Sequence, residues 1–98
     1  MAATSTPAAP TLEELTQRAR ALVPALDRRA ELAEELRHCP EETIADFVEA
    51  GLLLPFVPAM YGGFEMDYGP VQIAMGRELS RGCGSSSWVQ NVLACHAW

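Results

Sequence analysis

The sequence predicts an all-α fold of about four helices with one long, ordered loop rich in Pro and Gly. Apolar residues recur at spacings of three and four along several segments, which is the pattern of amphipathic helices. Residues that start and stop helices separate these segments, and no segment shows the alternation of a convincing strand. A chain of 98 residues buries only a modest core, so we expect one small domain.

The first helix is predicted to begin at Thr11, after a flexible tail over residues 1–10. Thr11 and Glu14 fit a capping box, in which each side chain bonds the other residue's backbone N–H. Pro24 lies inside the apolar pattern and predicts a kink or break, because proline lacks an N–H and clashes with the preceding turn. The predicted apolar face comprises Leu12, Leu15, Ala19, Leu22, Val23, Leu26, Ala30, Ala33 and Leu36.

A short second helix is predicted over about residues 40–50. Pro40 suits its first position, and Glu41 and Glu42 suit the positive end of the helix dipole. Gly51 suits the position just past the helix end. The predicted apolar face comprises Ile44, Phe47 and Val48.

Residues 51–69 combine prolines and glycines with several large apolar side chains. A flexible linker would not carry so many large apolar groups, so we expect a structured loop. Within it, Tyr61-Gly62-Gly63 is typical of a turn in which glycine supplies a positive φ. A phosphate-binding role would need a strand before it and a helix directly after it, and neither is evident.

The third helix is predicted to start near Asp67, which suits an N-cap, and to end at Gly82 and Gly84. Ser85 or Ser86 is then expected to cap a fourth helix. The predicted apolar faces are Val71, Ala74, Met75 and Leu79 on the third helix, and Trp88, Val89, Val92, Leu93, Cys95 and His96 on the fourth. This last pattern is still running at Trp98 without a stop signal, so we expect residues 11–98 to be an incomplete, truncated domain.

Composition excludes several classes of function. A net charge of −6 without a basic stripe argues against nucleic-acid binding. The spacing of Cys39, Cys83 and Cys95 gives no CxxC pair and no zinc framework, so we expect no metal site. An odd number of cysteines without a secretory signal indicates reduced thiols. The N-terminus is not typical of a signal peptide, and no apolar stretch is long enough to span a bilayer. We therefore expect a cytoplasmic protein.

Two residues of the fourth helix are candidates for function, and each has a structural alternative. Trp88 either packs in the core or walls a cofactor pocket. His96 follows eight positions later, which is about 80° past two full helical turns, so the two side chains share a broad face. A lone helical histidine is more often structural than catalytic. Cys83 precedes a helix start, which lowers a thiol pKa, but no base lies near it in the sequence.

The chain from about residue 12 to residue 98 resembles the N-terminal helical domain of the acyl-CoA dehydrogenase superfamily. The resemblance rests on Ala-Glu-Glu-Leu-Arg-His-Cys-Pro before the second helix and on Glu-Ala-Gly-Leu-Leu leading into Val-Pro-Ala-Met-Tyr-Gly-Gly-Phe-Glu. The stretch Glu-Leu-Ser-Arg-Gly-Cys-Gly-Ser-Ser-Ser-Trp-Val, followed by His-Ala-Trp, is similar to one branch, the oxygenase components of two-component flavin monooxygenases.

This resemblance implies a mechanism and partners. A separate reductase would supply reduced FMN or FAD, which reacts with O2 to form a C4a-hydroperoxyflavin that hydroxylates an aromatic, phenolic substrate. Trp88 matches a cofactor-binding tryptophan near the flavin ring, and His96 matches a catalytic histidine that binds the phenolic oxygen of the substrate. The resemblance also implies a homotetramer. The family's middle β-domain and C-terminal helical bundle are absent, so we expect the 98-residue chain to be inactive alone and to bind no flavin tightly.

Two alternatives remain open from the sequence. The first is an FAD-dependent acyl-CoA dehydrogenase, which shares the fold but whose catalytic base would lie outside this chain. The second is a non-catalytic helical domain that binds a partner through its exposed apolar surface.

Overall fold

The computed structural model describes residues 9–96 and contains four α-helices. These are α1 (Leu12–Leu36), α2 (Glu41–Glu49), α3 (Tyr68–Gly82) and α4 (Gly84–Cys95), with a short 3-10 helix, Ala59–Tyr61, in the loop between α2 and α3. No strand occurs within residues 9–96, so the prediction of an all-α fold with one long loop is confirmed. Residues 1–8 of the predicted tail and residues 97–98 lie outside the described part of the chain.

Helix α1 starts with the predicted capping box. The Thr11 N–H donates to Glu14 Oε1 at 2.8 Å, and the Glu14 N–H donates to Thr11 Oγ1 at 3.1 Å. The predicted break at Pro24 is wrong, because α1 runs through this residue without interruption. Proline removes only one hydrogen bond, and packing of α1 along α3 holds the helix together. Leu15, Ala19, Leu26 and Ala33 are buried on this face, whereas Leu12 and Leu36 are exposed, contrary to the prediction.

Helix α2 ends at Glu49 and is followed by the cap residue Ala50, and Gly51 takes the predicted position just past the helix end. The Leu52 N–H donates to the Phe47 carbonyl and the Gly51 N–H to the Val48 carbonyl, with φ +76° at Gly51, which is a Schellman motif. At the other end, Pro40 is the N-cap rather than the first helical residue. Phe47 is buried as expected, but Val48 is 60% exposed and does not belong to the core face.

The loop between α2 and α3 is ordered, as predicted. Its two sides are joined by backbone hydrogen bonds from Phe64 to Leu54 and from Met66 to Pro55. Gly62 has the positive φ expected of the Tyr-Gly-Gly turn, at +86°. A Cβ on Gly63 would collide with the Val57 carbonyl oxygen, so only glycine fits there. These contacts make the Tyr-Gly-Gly stretch a structural turn.

Helices α3 and α4 meet at Cys83, which ends one helix and caps the next. The prediction that Ser85 or Ser86 caps α4 is therefore wrong, since both already lie inside the helix. The predicted face of α3 is confirmed, with Val71, Met75 and Leu79 buried. No helix within residues 9–96 has the length and apolar character needed to cross a bilayer.

The core face of α4 differs from the prediction. Its buried residues are small or polar: Ser86, Ser87, Gln90 and Ala94. Trp88 is 67% exposed and Leu93 is 42% exposed. Small side chains let α4 approach its neighbours closely, and Gln90 is accommodated because its amide bonds the Leu52 carbonyl at 2.8 Å. The large apolar residues of α4 therefore point away from the core.

Candidate functional site

The outward side of α4 carries the side chains that the sequence singled out. We call this surface the Trp88 face; its members are partly or fully exposed and comprise Trp88, Val89, Val92, Leu93, Cys95 and His96. The predicted grouping is therefore correct, but it lies on the surface instead of in the core. A surface of this kind is available for contact with a ligand or with another part of a protein.

Trp88 walls two open grooves. The larger, of about 550 Å³, runs between α3 and α4 and is also lined by Tyr68, Ile73 and Arg77. The smaller, of about 360 Å³, lies between the end of α1 and the start of α4. Of the two interpretations that the sequence left open for Trp88, the core interpretation is therefore wrong. An exposed indole beside a groove offers a flat apolar surface on which an aromatic ring can stack.

A hydrogen-bonded amide pair connects the larger groove to the core, since Gln72 lines the groove and its partner Gln90 is fully buried. Gln90 Nε2 donates to the Leu52 carbonyl at 2.8 Å, and Gln72 Nε2 donates to Gln90 Oε1 at 2.9 Å. A carbonyl can only accept, so this chain fixes the orientation of both amides. Near the rim of the groove, the Tyr68 hydroxyl donates to Asn91 Oδ1 at 2.9 Å. These contacts hold α3, α4 and the loop in fixed register beneath Trp88.

His96 lies directly after the last residue of α4 and is exposed. Its Nδ1 is 2.8 Å from the Val92 carbonyl oxygen. Because the carbonyl can only accept, Nδ1 carries the proton of this bond. With the proton of a neutral imidazole on Nδ1, Nε2 is the nitrogen that can accept a hydrogen bond from a hydroxyl group. The imidazole has the acceptor that a role toward a phenol requires.

Trp88 and His96 lie at opposite ends of this face. Eight residues of helix span about 12 Å along the axis. His96 lines neither of the two grooves beside Trp88. The structure thus places both predicted residues on one exposed side of α4 and does not bring them into contact. A ligand that touched both would have to extend along the helix.

The structure also brings together two cysteines that the sequence left apart. The Cys39 thiol donates to the Ser86 hydroxyl across 3.8 Å, and Cys83 Sγ lies 3.3 Å from Ser85 Oγ. Burial raises the pKa of the Cys39 thiol. Burial also opposes ionisation of Cys83, but hydrogen bonds from Ser85 and Ser86 outweigh it and lower the pKa of Cys83. No local sequence signal links residues 39 and 83, because Cys39, in the connection between α1 and α2, reaches the first turn of α4 only in the folded chain.

The described residues do not form a metal centre. Within residues 9–96, no three His, Cys, Asp or Glu side chains are grouped so that they could hold an ion.

Comparison with known proteins gives a consistent result. Residues 9–98 match the acyl-CoA dehydrogenase N-terminal domain. The chain is 39% identical over 88 residues to a pigment production hydroxylase of Rhodococcus sp. (strain ATCC 21145), covering 90% of this chain and 22% of that protein. It is 34% identical over 83 residues to the oxygenase subunit HsaA of a flavin-dependent monooxygenase of Rhodococcus jostii (strain RHA1), covering 84% and 21% respectively.

A third relative is the oxygenase component of p-hydroxyphenylacetate 3-hydroxylase from Acinetobacter baumannii, 33% identical over 89 residues, covering 88% of this chain and 19% of that protein. The chain spans about a fifth of the length of these relatives. No solved structure matches it significantly. The family match over nearly the whole chain, together with the four-helix architecture, shows that this protein belongs to the acyl-CoA dehydrogenase family and represents its N-terminal domain.

Proposed function

We propose that this chain is the N-terminal helical part of the oxygenase component of a two-component flavin monooxygenase. The observation that carries the proposal is the exposure of Trp88, 67% of whose surface is accessible beside two open grooves. Trp88 lies among other partly or fully exposed apolar residues of α4, and an apolar patch of this kind marks a surface that a ligand or another domain covers. The names of the relatives, which are flavin-dependent monooxygenases and hydroxylases, support flavin as that ligand.

The proposed cofactor is reduced FMN or FAD, supplied by a separate flavin reductase. When bound, it would react with O2 to a C4a-hydroperoxyflavin and deliver one oxygen atom to an aromatic, phenolic substrate. What this chain would contribute is positioning and exclusion of water from the reacting groups.

In this proposal Trp88 binds the cofactor and His96 binds the substrate. The indole of Trp88 would lie against the flavin ring and cover one of its faces. The free Nε2 of His96 would accept the hydrogen bond of the substrate's phenol and draw its proton, which increases electron density on the aromatic ring. The bond from Nδ1 to the Val92 carbonyl, at 2.8 Å, holds the ring in the tautomer that this role needs.

The same proposal includes further domains and an oligomeric state for the active protein. Residues 11–98 would be an incomplete domain that functions with a middle β-domain and a C-terminal helical bundle in a cytoplasmic homotetramer. Since those domains would supply most contacts to the flavin, the 98-residue chain alone is expected to be inactive and to bind no flavin tightly. Co-purification of stoichiometric flavin with this chain would contradict that expectation.

The test uses the longest protein that carries this segment. It is mixed with chemically reduced FMN or FAD, O2 and a panel of phenols, and the flavin absorbance and the hydroxylated products are followed over time. His96→Ala is compared with wild type and with His38→Ala, a matched control, because His38 is the other histidine of the chain and is also exposed.

We expect an oxygenated flavin in all three proteins and a loss of hydroxylation, by about 100-fold or more, only in His96→Ala. An equal loss of hydroxylation in His38→Ala would show that His96 has no specific role in the reaction. Failure to form any oxygenated flavin, with reduction of bound FAD by an acyl-CoA instead, would replace the proposal with the dehydrogenase alternative. If the protein carries out neither reaction, the remaining alternative is a non-catalytic helical domain that binds a partner.

A further inference from the structure

Two cysteines from different parts of the fold contact adjacent serines at the start of α4. Cys39 lies in the non-helical connection between α1 and α2, and Cys83 caps the start of α4. The Cys39 thiol reaches the Ser86 hydroxyl across 3.8 Å. Ser86 is 2% exposed, and Cys83 Sγ lies 3.3 Å from the hydroxyl oxygen of the neighbouring Ser85. Both sulphur atoms therefore contact adjacent serines in the first turn of α4.

The two thiols differ in their readiness to ionise. Cys83 Sγ lies 3.3 Å from Ser85 Oγ, and the hydrogen-bonding groups of Ser85 and Ser86 lower the pKa of Cys83 against the opposing effect of burial. For Cys39, burial is the dominant influence and favours the neutral thiol. Cys83 is therefore the nucleophile of the pair, and Cys39 is the neighbouring thiol that keeps its proton.

The pair is also reachable by a small molecule. Cys39 is partly exposed and lines the smaller groove together with Ser85 and Trp88. Cys83 is 8% exposed and lies 3.3 Å from the hydroxyl of Ser85, which lines this groove. An opening of about 360 Å³ admits a molecule as small as hydrogen peroxide.

We propose that Cys39 and Cys83 form a peroxide-reactive pair that closes to a disulfide. In the first step the Cys83 thiolate attacks one oxygen of hydrogen peroxide, the O–O bond breaks, and hydroxide leaves and takes up a proton to become water. The Cys83 sulphur is oxidised by two electrons to sulfenic acid, and the peroxide is reduced. In the second step the Cys39 sulphur attacks Cys83, and the departing hydroxyl leaves with the Cys39 proton as a second water.

The disulfide would tie the α1–α2 connection to the first turn of α4. Because Cys39 and Trp88 line the same groove, oxidation would fix one wall of that groove relative to the other. A reduced flavin that reacts with O2 without substrate releases hydrogen peroxide, so the proposed monooxygenase would itself supply the oxidant; only this source of peroxide rests on the proposed function.

The test uses the full chain, reduced and then treated with a small excess of hydrogen peroxide. Free thiols are counted, and peptides from a non-reducing digest are identified by mass spectrometry. We expect the thiol count to fall from three to one per chain, with a single linkage between Cys39 and Cys83. In Cys39→Ser, sulfenic acid should accumulate at Cys83 and be trapped by dimedone. The matched control Cys95→Ser should form the disulfide as wild type does.

Other results would overturn the proposal. A linkage that includes Cys95, or oxidation of Cys83 to sulfinic acid in the wild-type chain without a disulfide, would show that Cys39 and Cys83 are not a pair. So would trapping of sulfenic acid at Cys39 in preference to Cys83. The same treatment in urea should give mixed linkages, and an unchanged linkage there would mean that folding does not create the selectivity. Because peroxide is added, these outcomes do not depend on the monooxygenase proposal.

Discussion

Gly82 of α3 lies against Leu26 of α1 so closely that no side chain fits between the two helices. A Cβ built on Gly82 would be 2.7 Å from Leu26 Cβ and 2.8 Å from the Val23 carbonyl oxygen. Leu26 is 1% exposed, so it has no free space into which to move. This glycine therefore sets how closely the two longest helices approach, and α3 in turn positions one wall of the larger groove beside Trp88.

Gly82→Ala should destabilise the fold by about 1–3 kcal/mol, because overpacking forces backbone shifts in a filled interior. The measurement is the free energy of unfolding from urea denaturation followed by circular dichroism. Gly84→Ala is the matched control, since nothing lies within 4 Å of a Cβ at that position. We expect it to be neutral or slightly stabilising. Equal effects of the two substitutions would contradict the close packing at Gly82.

The buried amide pair of Gln90 and Gln72 provides a second prediction. Gln90 is fully buried; its Nε2 donates to the Leu52 carbonyl and its Oε1 accepts from the Gln72 amide. Gln90→Leu leaves both of these polar groups without partners, and each unsatisfied group costs about 1–3 kcal/mol. We expect a loss of roughly 3 kcal/mol in the free energy of unfolding, measured by urea denaturation.

The control for this substitution is Gln17→Leu, which changes an exposed glutamine on α1 in the same chemical way. It should alter the free energy of unfolding by less than about 0.5 kcal/mol. A Gln90→Leu protein as stable as wild type would mean that the amide pair does not hold α4 to the loop.

Glu78 provides a prediction about pH. Its carboxylate is 7% exposed and accepts from Arg20 Nη2 at 3.1 Å, with Arg81 at 3.7 Å. Hydrogen bonds from Arg20 lower the pKa of Glu78 in spite of its burial. Its contribution is therefore fully present above the unfolded-state pKa of about 4.3 and is lost as the pH falls through the lower folded-state pKa.

The free energy of unfolding of Glu78→Gln, measured from pH 7 to pH 2, should thus lie below that of wild type at neutral pH. The difference between the two proteins should shrink as the pH falls below about 4.3. Glu31→Gln, which alters an exposed carboxylate of α1, is the control and should follow wild type throughout. A difference that stayed constant with pH would show that the Glu78 charge is not what stabilises the fold.

Local signals account for the parts of the fold that the sequence predicted. The capping box of Thr11 and Glu14 and the glycine at position 51 act within a few residues of where they lie, so their structures follow from sequence spacing. The core face of α4 did not follow in this way. Its burial of Gln90 depends on the Leu52 carbonyl, which is distant in the chain and is brought near only by the folded loop.

In the candidate site, too, the features set by local helix geometry were predictable and those set by tertiary packing were not. Trp88 and His96 share one exposed side because eight residues of continuous helix separate them, and helical geometry alone predicts this. The exposure of this side to solvent could not be predicted from hydrophobicity, because large apolar residues on a helix normally indicate its core face. The meeting of Cys39 with Ser86 depends on tertiary packing and has no counterpart in the sequence pattern.

The last prediction separates stability from function at Trp88. Because 67% of this side chain is exposed, Trp88→Ala should change the free energy of unfolding of the chain by less than about 0.5 kcal/mol. Phe47→Ala provides the comparison, since Phe47 is fully buried and its truncation should cost about 3–5 kcal/mol. Urea denaturation followed by circular dichroism measures both, without relying on tryptophan fluorescence.

In the longest protein that carries this segment, the same Trp88→Ala substitution should weaken binding of reduced flavin by about 2- to 12-fold, because stacking on an aromatic ring contributes about 0.5–1.5 kcal/mol beyond the buried area. A stable variant with weakened flavin binding would indicate a residue retained for contact with the cofactor. A variant that loses 2 kcal/mol or more of stability, roughly the contribution of a buried apolar side chain, would instead place Trp88 among the residues that hold the domain together, and its proposed role beside the flavin would be withdrawn.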